Sequence, residues 1–194
     1  MIIFKILTRL FGGFWVLKAK CQNTNPGWLR NLYVFVYRMH QKTIVCDIDF
    51  RTHFDGPPFF PHGMPGVFIS RWAKIGKGCV ILQGVTIGSN SLPDSKSLGA
   101  PVIGDNCYIG SGAAIIGGCT LGKNVRVGAN CVVTRDVPDH SVVVSNIQRI
   151  VEKEHLDNRY YVCPGDKWGY IDDNVWLEET DPEILEKLAS KFKT

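Results

Sequence analysis

The chain has 194 residues, a formal net charge of +4 and seven cysteines. This length fits one domain with terminal additions, and we predict no nucleic-acid partner. The number of cysteines is odd and no CxxC-like pair occurs, which argues against a disulfide framework and against a cysteine metal site. Reduced thiols are typical of the cytoplasm, so we predict a cytoplasmic protein that requires no metal.

The charge is distributed unevenly along the chain. Residues 1–43 carry seven Lys or Arg and no Asp or Glu, whereas residues 150–194 carry six basic and eleven acidic side chains. The middle of the chain, residues 44–149, is nearly balanced, with nine basic and seven acidic side chains. The two ends are therefore expected to attract each other or neighbouring chains.

The N-terminal segment, residues 1–44, opens with "MIIFKILTRLFGGFWVLKAK". Lys5 and Arg9 interrupt its apolar run, so it lacks the roughly 20 apolar residues that cross a membrane. A signal peptide would need a longer apolar core. We predict two amphipathic helices, about 2–20 and 26–42, that pack on the rest of the protein or on a partner chain. The alternative is peripheral contact with anionic lipid at the inner face of the membrane.

The middle of the chain follows a beat of six residues. A small or compact residue stands two positions before each aliphatic of the beat, and glycine usually follows it. A period of six fits neither a lone helix nor a lone strand. It is the signature of a parallel β-helix built from hexapeptides. The aliphatics on this beat are Ile69, Ile75, Ile81, Ile87, Ile103, Ile109, Ile115, Leu121, Val127 and Val133.

Each hexapeptide predicts one short strand and one turn, and three of them make a triangular coil of about 18 residues. The aliphatic points inward and stacks on its equivalents in adjacent coils. Four cysteines occupy the small corner position, which indicates buried, reduced, space-filling thiols. These are Cys79, Cys107, Cys119 and Cys131.

The beat breaks once, because Ile87 and Ile103 are 16 residues apart. We expect a polar loop over about 89–100 that protrudes as a lid over a cleft, since insertions in a solenoid form loops that often bind ligands. The predicted fold is mainly β, with the β-helix over residues 45–149. Residues 150–194 form a C-terminal tail with a short helix in "TDPEILEKLASKFK", which is expected to act as a cap or as a clasp between subunits.

The sequence resembles the hexapeptide-repeat acyltransferases over residues 44–149. The resemblance is carried by "ISRWAKIGKGCVILQGVTIGSN", "APVIGDNCYIGSGAAIIGG" and "VRVGANCVVTRDVPDHSVV". It is strongest with the branch that contains serine acetyltransferases and the O-acetyltransferases of bacterial capsules and exopolysaccharides. This resemblance implies a left-handed β-helix, a homotrimer, and acetyl-coenzyme A bound in the groove between adjacent subunits.

Catalytic residues are carried over from the resemblance. His62 matches the family's general base, and Asp47, fifteen residues upstream, matches the aspartate that orients it. The interval from His62 to Ile69 is one residue longer than in the family, so the turn in "GMPG" must differ. Asp49 is the fallback partner if the register is shifted.

The resemblance also implies a set of coenzyme-binding residues. Gly88, Ser111 and Ala129 would line the pantetheine groove, where small side chains let the backbone approach closely. Arg126 would lie near the phosphates, helped by Arg149 or Arg135. The alternative is that each of these arginines is only a solvated charge on the protein surface.

Two departures from the family bear on the acceptor. Pro61 replaces an aspartate linked to serine binding, and Ala100 replaces a second histidine. Both favour a sugar hydroxyl of a surface polysaccharide or its precursor as acceptor. Trp72 stands where a small or polar turn residue is usual, and is expected at a subunit interface or against a sugar.

The predicted function is therefore an acetyl-coenzyme A-dependent O-acetyltransferase with a saccharide acceptor. The alternatives are a serine O-acetyltransferase, an amino-sugar N-acetyltransferase and a non-catalytic trimeric scaffold. A carbonic anhydrase on the same coil would need three convergent histidines, and residues 63–139 contain none.

Overall fold

The structure is a computed structural model of the full chain, and it describes residues 2–144, 159–172 and 175–192. Three parts follow one another: N-terminal helices, a parallel β-helix and a C-terminal lobe. Arg149, one of the predicted coenzyme ligands, lies outside the described residues.

The N-terminal segment contains three helices where two were predicted. They are α1 (Ile2–Leu10), α2 (Phe14–Asn23) and α3 (Trp28–Ile44). The expectation of one helix over 2–20 is wrong because Gly12 and Gly13 have φ values of +96° and +92°, which end α1 and turn the chain. Among the described residues, no helix combines the length and the apolar character that spanning a membrane requires.

The helices are tied to the first coil of the β-helix by buried polar contacts. The Tyr37 hydroxyl donates to the Ile48 carbonyl at 2.9 Å, and the Lys18 ammonium donates to the Thr52 carbonyl at 2.7 Å. Burial lowers the pKa of Lys18 to about 8. Leu17, Cys21 and Tyr37 form the core of the helical layer, so this layer is built onto the coil and holds its first strand.

Short parallel strands wind into a coil with three faces. Face 1 contains β1 (Asp47–Ile48), β3 (Phe68–Ile69), β6 (Thr86–Gly88), β9 (Ala114–Ile116) and β12 (Val132–Val133). Face 2 contains β2 (His53–Phe54), β4 (Lys74–Ile75), β7 (Val102–Ile103) and β10 (Thr120–Leu121). Face 3 contains β5 (Val80–Ile81), β8 (Tyr108–Ile109), β11 (Arg126–Val127) and β13 (Val142–Val143).

The predicted beat is confirmed by the strand register. On face 1, Ile48 pairs with Ile69, Ile69 with Ile87 and Ile87 with Ile115. The aliphatics of the beat are all buried in one continuous core. The four cysteines in the small position are buried and free, as predicted. The core is thus a stack of equivalent side chains, each supported by its neighbours above and below.

A loop replaces the turn that would follow β6. It is closed by two backbone hydrogen bonds between Asn90 and Gly99, of 2.8 and 2.9 Å. Inside the loop, the Asn90 amide donates to the hydroxyls of Ser95 and Ser97. The chain then rejoins face 2 at β7, so the loop protrudes from the corner between faces 1 and 2.

The C-terminal lobe contains a small antiparallel sheet as well as the predicted helix. Its elements are β14 (Tyr160–Val162), β15 (Gly169–Asp172), β16 (Val175–Glu178) and α4 (Pro182–Lys191). The Asp181 carboxylate accepts from the Glu183 backbone N–H at 2.9 Å and caps α4. The sheet was not predicted, since its strands lack a clear alternation of apolar and polar residues.

The lobe covers the corner between faces 1 and 2. Leu188 and Phe192 of α4 pack against Leu98 of the loop. The Trp72 ring stacks on Trp168, with centroids 5.3 Å apart and planes at 17°, and also contacts Phe192. The Trp72 side chain is therefore engaged within its own chain, where sequence reasoning placed it against a partner subunit or a sugar.

The close approach of neighbouring coils generates a stability prediction. A Cβ added to Gly104 would lie 2.7 Å from the carbonyl carbon of Gly122, whereas one added to Gly56 would meet nothing nearer than 3.7 Å. We expect Gly104→Ala to cost about 1–3 kcal/mol because the coils must shift apart. Gly56→Ala is the matched control, and thermal unfolding followed by circular dichroism compares them. Equal unfolding midpoints would contradict this packing.

Candidate active site

The corner between faces 3 and 1, named here the 3–1 corner, presents bare backbone in successive coils. Gly84 and Gly112 have φ values of +73° and +67° there, a region that favours glycine. A Cβ on Gly66 would come within 3.2 Å of the Gly84 Cα, so the coils touch through main chain. Three hydrogen bonds between coils join residues of this corner: Gly84 N–H donates to Pro65, Gly112 N–H to Gln83 and Asn130 N–H to Ser111. Ala129 precedes Asn130 in the same turn.

His62 lies on the excursion that enters the 3–1 corner. Residues 60–66 leave face 3 after Phe59 and return to face 1 at β3. The side chain of His62 is exposed and takes part in no hydrogen bond or ion pair with the described part of the chain. Its imidazole is therefore available to a ligand.

Asp47 begins β1 at the same corner, one coil below. The Gly66 N–H donates to the Val45 carbonyl at 2.6 Å, which lays the His62 excursion against the segment leading to Asp47. The Asp47 carboxylate is exposed, and no hydrogen bond or ion pair to it occurs within the described ranges. The neighbouring protein atoms remove part of the water around the carboxyl, and this partial desolvation, together with the negative charge of Asp49, raises its pKa despite the opposing charge of Arg38. The structure brings His62 and Asp47 to one corner but does not join them by a hydrogen bond.

Asp49 has a different environment. Burial opposes ionisation of its carboxyl, but hydrogen bonds from Arg51 outweigh that effect and lower the pKa. The Arg51 guanidinium donates to both carboxylate oxygens, at 2.8 and 2.7 Å. Since this fork occupies both oxygens, Asp49 is less suited than Asp47 to orient a histidine.

A groove of about 340 Å³ runs across face 1 from these carboxylates. Asp47 and Asp49 lie at one end of it, and Gly88 and Ser89 lie at the other. Arg71 forms part of the wall. The groove is large enough for part of a small ligand and combines two carboxylates with a guanidinium.

The structure separates the predicted coenzyme residues into different places. Ser111 and Ala129 lie at the 3–1 corner, where the Ser111 carbonyl accepts from the Asn130 N–H at 2.9 Å. Gly88 ends β6 at the opposite edge of face 1. Arg126 is exposed on face 3. His62 thus shares its corner with Ser111 and Ala129, while Gly88 shares the groove with Asp47.

Arg71 is a candidate that sequence reasoning missed. Its guanidinium donates to the Cys163 carbonyl at 3.2 Å and lies 4.6 Å from the centre of the Trp72 ring. A second cavity of about 270 Å³, between this corner and the C-terminal lobe, is lined by Arg71, Ser89 and Tyr161. The only sequence signal was the pair "RW" at a turn position, and the spacing of residues could not reveal that its contacts lie in the C-terminal lobe.

The sequence pattern described as "Bacterial transferase hexapeptide (six repeats)" matches residues 100–135. This segment of the chain is similar to the hexapeptide-repeat transferases. Its coil is accordingly a left-handed parallel β-helix, as the solved relatives show. In the part of the chain that the structure describes, no group of three or more His, Cys, Asp or Glu converges on a metal site.

Curated relatives of this hexapeptide-repeat chain are named serine acetyltransferase. The protein from Bacillus pumilus (strain SAFR-032) is 42% identical over 93 residues, which are 48% of this chain and 42% of the relative. The protein from Synechococcus elongatus is 41% identical over 93 residues, which are 48% of this chain and 37% of the relative. The chain thus spans less than half the length of these curated relatives.

Solved structures show the same likeness over a larger part of the chain. Soybean serine acetyltransferase in complex with serine superposes with a TM-score of 0.57 and 29% identity, covering 71% of this chain and 54% of that one. Serine acetyltransferase isoform 3 from Entamoeba histolytica, in complex with cysteine, gives 0.54 and 31%, covering 73% and 48%.

The contrast between the two carboxylates is testable by thermal unfolding. Asp49→Asn should lower the unfolding midpoint at pH 7 by a few degrees, about 1–2 kcal/mol, because charge-assisted hydrogen bonds are lost. Asp47→Asn should raise it slightly, because a carboxyl with a raised pKa costs stability when ionised. The Asp47→Asn difference should disappear below the unfolded pKa of about 3.9, whereas the Asp49→Asn difference should be lost only as the pH falls through the lowered pKa of folded Asp49. A destabilised Asp47→Asn protein at pH 7 would contradict this assignment.

Proposed function

We propose that the protein is an acetyl-coenzyme A-dependent O-acetyltransferase with serine as its acceptor. Serine is chosen as the acceptor because the curated relatives are named serine acetyltransferase. They match about half of the chain at 41–42% identity. The observation that carries the activity is the exposed, unpartnered His62 at the same corner as Asp47 and an open backbone ladder.

His62 is proposed as the general base. A hydroxyl is a poor nucleophile, and a neutral imidazole placed beside it can accept its proton as it attacks. The acceptor oxygen then bonds to the thioester carbonyl carbon, and the carbon–sulfur bond breaks in the collapse of the tetrahedral intermediate. The proton held by His62 passes to the departing thiolate. No covalent enzyme intermediate is needed.

Asp47 is proposed to orient His62 and to stabilise the imidazolium formed in the reaction. Its carboxylate forms no hydrogen bond or ion pair in the described chain, and its pKa is raised by burial and by Asp49 more than the charge of Arg38 lowers it. A nearby imidazolium would relieve that unfavourable charge. This role requires the His62 excursion to move toward Asp47 when ligands bind, since no hydrogen bond joins them here.

The backbone ladder of the 3–1 corner is proposed as the pantetheine site. Ser111 and Ala129 have small side chains, so amide groups of the arm can approach the main chain at this edge. Arg126, exposed and without an ion pair among the described residues, would meet the phosphates, with Arg149 beyond them. We infer that reaction takes place in the cytoplasm, where thiols stay reduced.

We further propose that the working unit is a trimer whose grooves lie between subunits. Within one chain, Gly88 lies at the edge of face 1 opposite Ser111 and Ala129. A groove that uses all three residues is most simply completed by the face of a second copy. Sedimentation equilibrium should then give three times the mass of the chain.

A saccharide hydroxyl is the second candidate acceptor. Ala100, which replaces a histidine of the family pattern, is half-buried against the cluster of Leu98, Tyr161, Leu188 and Phe192. Arg71 and Trp72 line both the groove on face 1 and the second cavity, and the C-terminal lobe forms the other wall of that cavity. This additional wall favours an acceptor larger than an amino acid, and it is the structural reason to test sugars beside serine.

The experiment is release of free coenzyme A from acetyl-coenzyme A, measured by chromatography with serine, simple sugars and polysaccharide fragments. We expect His62→Ala to lower kcat by about 10²–10⁴ with the unfolding midpoint unchanged, because a general base contributes that factor. His53→Ala is the matched control, since His53 is exposed and paired only with Asp55. Full activity in His62→Ala would contradict the mechanism.

The acceptor panel separates the two candidates. Turnover with serine alone supports the first proposal, and turnover with a saccharide alone supports the second. Coenzyme binding without turnover of any acceptor would show that the acceptor belongs to another class. Failure to bind acetyl-coenzyme A would refute the acetyltransferase assignment and favour a trimeric scaffold.

A further inference from the structure

The N-terminal helices expose large apolar side chains that the fold leaves uncovered. On α1, Ile3, Ile6 and Leu10 point away from the protein, with Leu10 74% exposed. On α3, Trp28, Leu32 and Phe35 do the same, with Trp28 78% exposed. Spacings of three and four residues place each trio on one side of its helix. Such an apolar surface normally marks an interaction site.

The two trios belong to one surface. Helices α1 and α3 pack side by side, and the rings of Phe4 and Phe35 meet edge to face with centroids 5.9 Å apart. Phe4 lies beside Ile3 in sequence, and Phe35 is itself half exposed. The exposed sides of α1 and α3 therefore adjoin at this contact, and together they are named the basic apolar face.

The same two helices also carry exposed cations. Lys5 and Arg9 on α1 and Arg38 and Lys42 on α3 are exposed, and none of them forms an ion pair in the described structure. The first 46 residues contain seven Lys or Arg and no acidic residue. The two helices thus combine an apolar face with exposed positive charge on their other sides, as in helices that lie in a membrane interface.

We propose that the basic apolar face binds the surface of an anionic lipid bilayer. A second copy of the chain is a poor occupant, because it would bring together two sets of helices that carry positive charge and contain no acidic residue. Anionic headgroups would balance the cations while the acyl boundary covers the apolar side chains. The helices lie in the interface and do not span it.

The proposal is independent of the acetyltransferase assignment, since it uses no residue of the candidate active site. Membrane binding would fix the position of the candidate active site relative to the lipid. The catalytic corner adjoins the helices through β1, so a bound protein would hold its groove close to the membrane surface.

The test is co-sedimentation of the full chain with two kinds of vesicle. One contains phosphatidylcholine alone, and in the other about one lipid in three is the anionic phosphatidylglycerol. We expect binding only to the anionic vesicles, weakening as salt rises. Brominated lipid in the anionic vesicles should quench the fluorescence of Trp28.

Two variants and their controls test the residues. Lys5→Glu with Arg9→Glu should weaken binding at least tenfold, whereas Lys74→Glu with Lys77→Glu, the same charge change on exposed residues of the coil, should have a much smaller effect. Leu10→Asn should weaken binding, whereas Val175→Asn, at another exposed apolar residue, should not. Circular dichroism verifies that each variant is folded.

The proposal is overturned if the wild type fails to bind anionic vesicles, or if the control variants lose binding as much as the others. It is also overturned if Leu10→Asn changes the sedimenting mass in the absence of lipid, because the face would then be buried between copies of the chain.

Discussion

The stacking of each inward aliphatic on its equivalent in the next coil is the interaction on which the rest of this structure depends. Ile48, Ile69, Ile87 and Ile115 form one such column, and their burial fixes the register of every strand on face 1. Because register is fixed, the corners of successive coils superpose, and small residues there let main chain touch main chain. The candidate site is a consequence of that alignment: a bare backbone edge with His62 at its entrance.

The additions at both ends act on this scaffold in different ways. The helical layer holds the first strand through Tyr37 and Lys18, which positions Asp47 at the entrance of the groove. The C-terminal lobe covers the opposite corner, where Trp72 stacks on Trp168. One addition thus supports the proposed catalytic pair, and the other shapes the side on which an acceptor would enter. We expect the specificity of the protein to reside in these additions, since the coil itself resembles that of the serine acetyltransferases.

The sequence predicted the coil in detail because a six-residue beat leaves one arrangement that buries every aliphatic. It predicted less well wherever contacts join distant segments. The break at Gly12 and Gly13 depends on a local backbone conformation that a helical pattern hides. The partners of Arg71 and Trp72 lie about 90 residues away, so no spacing rule finds them. Asp47 and Asp49 look alike in "CDIDF", and only the fork donated by Arg51 distinguishes their charge states.

The most direct test of the central claim is a crystal structure of the protein with bound coenzyme A. We expect the pantetheine arm to lie along the main chain of Ser111 and Ala129, with its thiol end directed at the imidazole of His62. A second subunit should close the groove. Coenzyme A bound along face 2, or in the cavity between Arg71 and the C-terminal lobe with its thiol away from His62, would contradict this expectation.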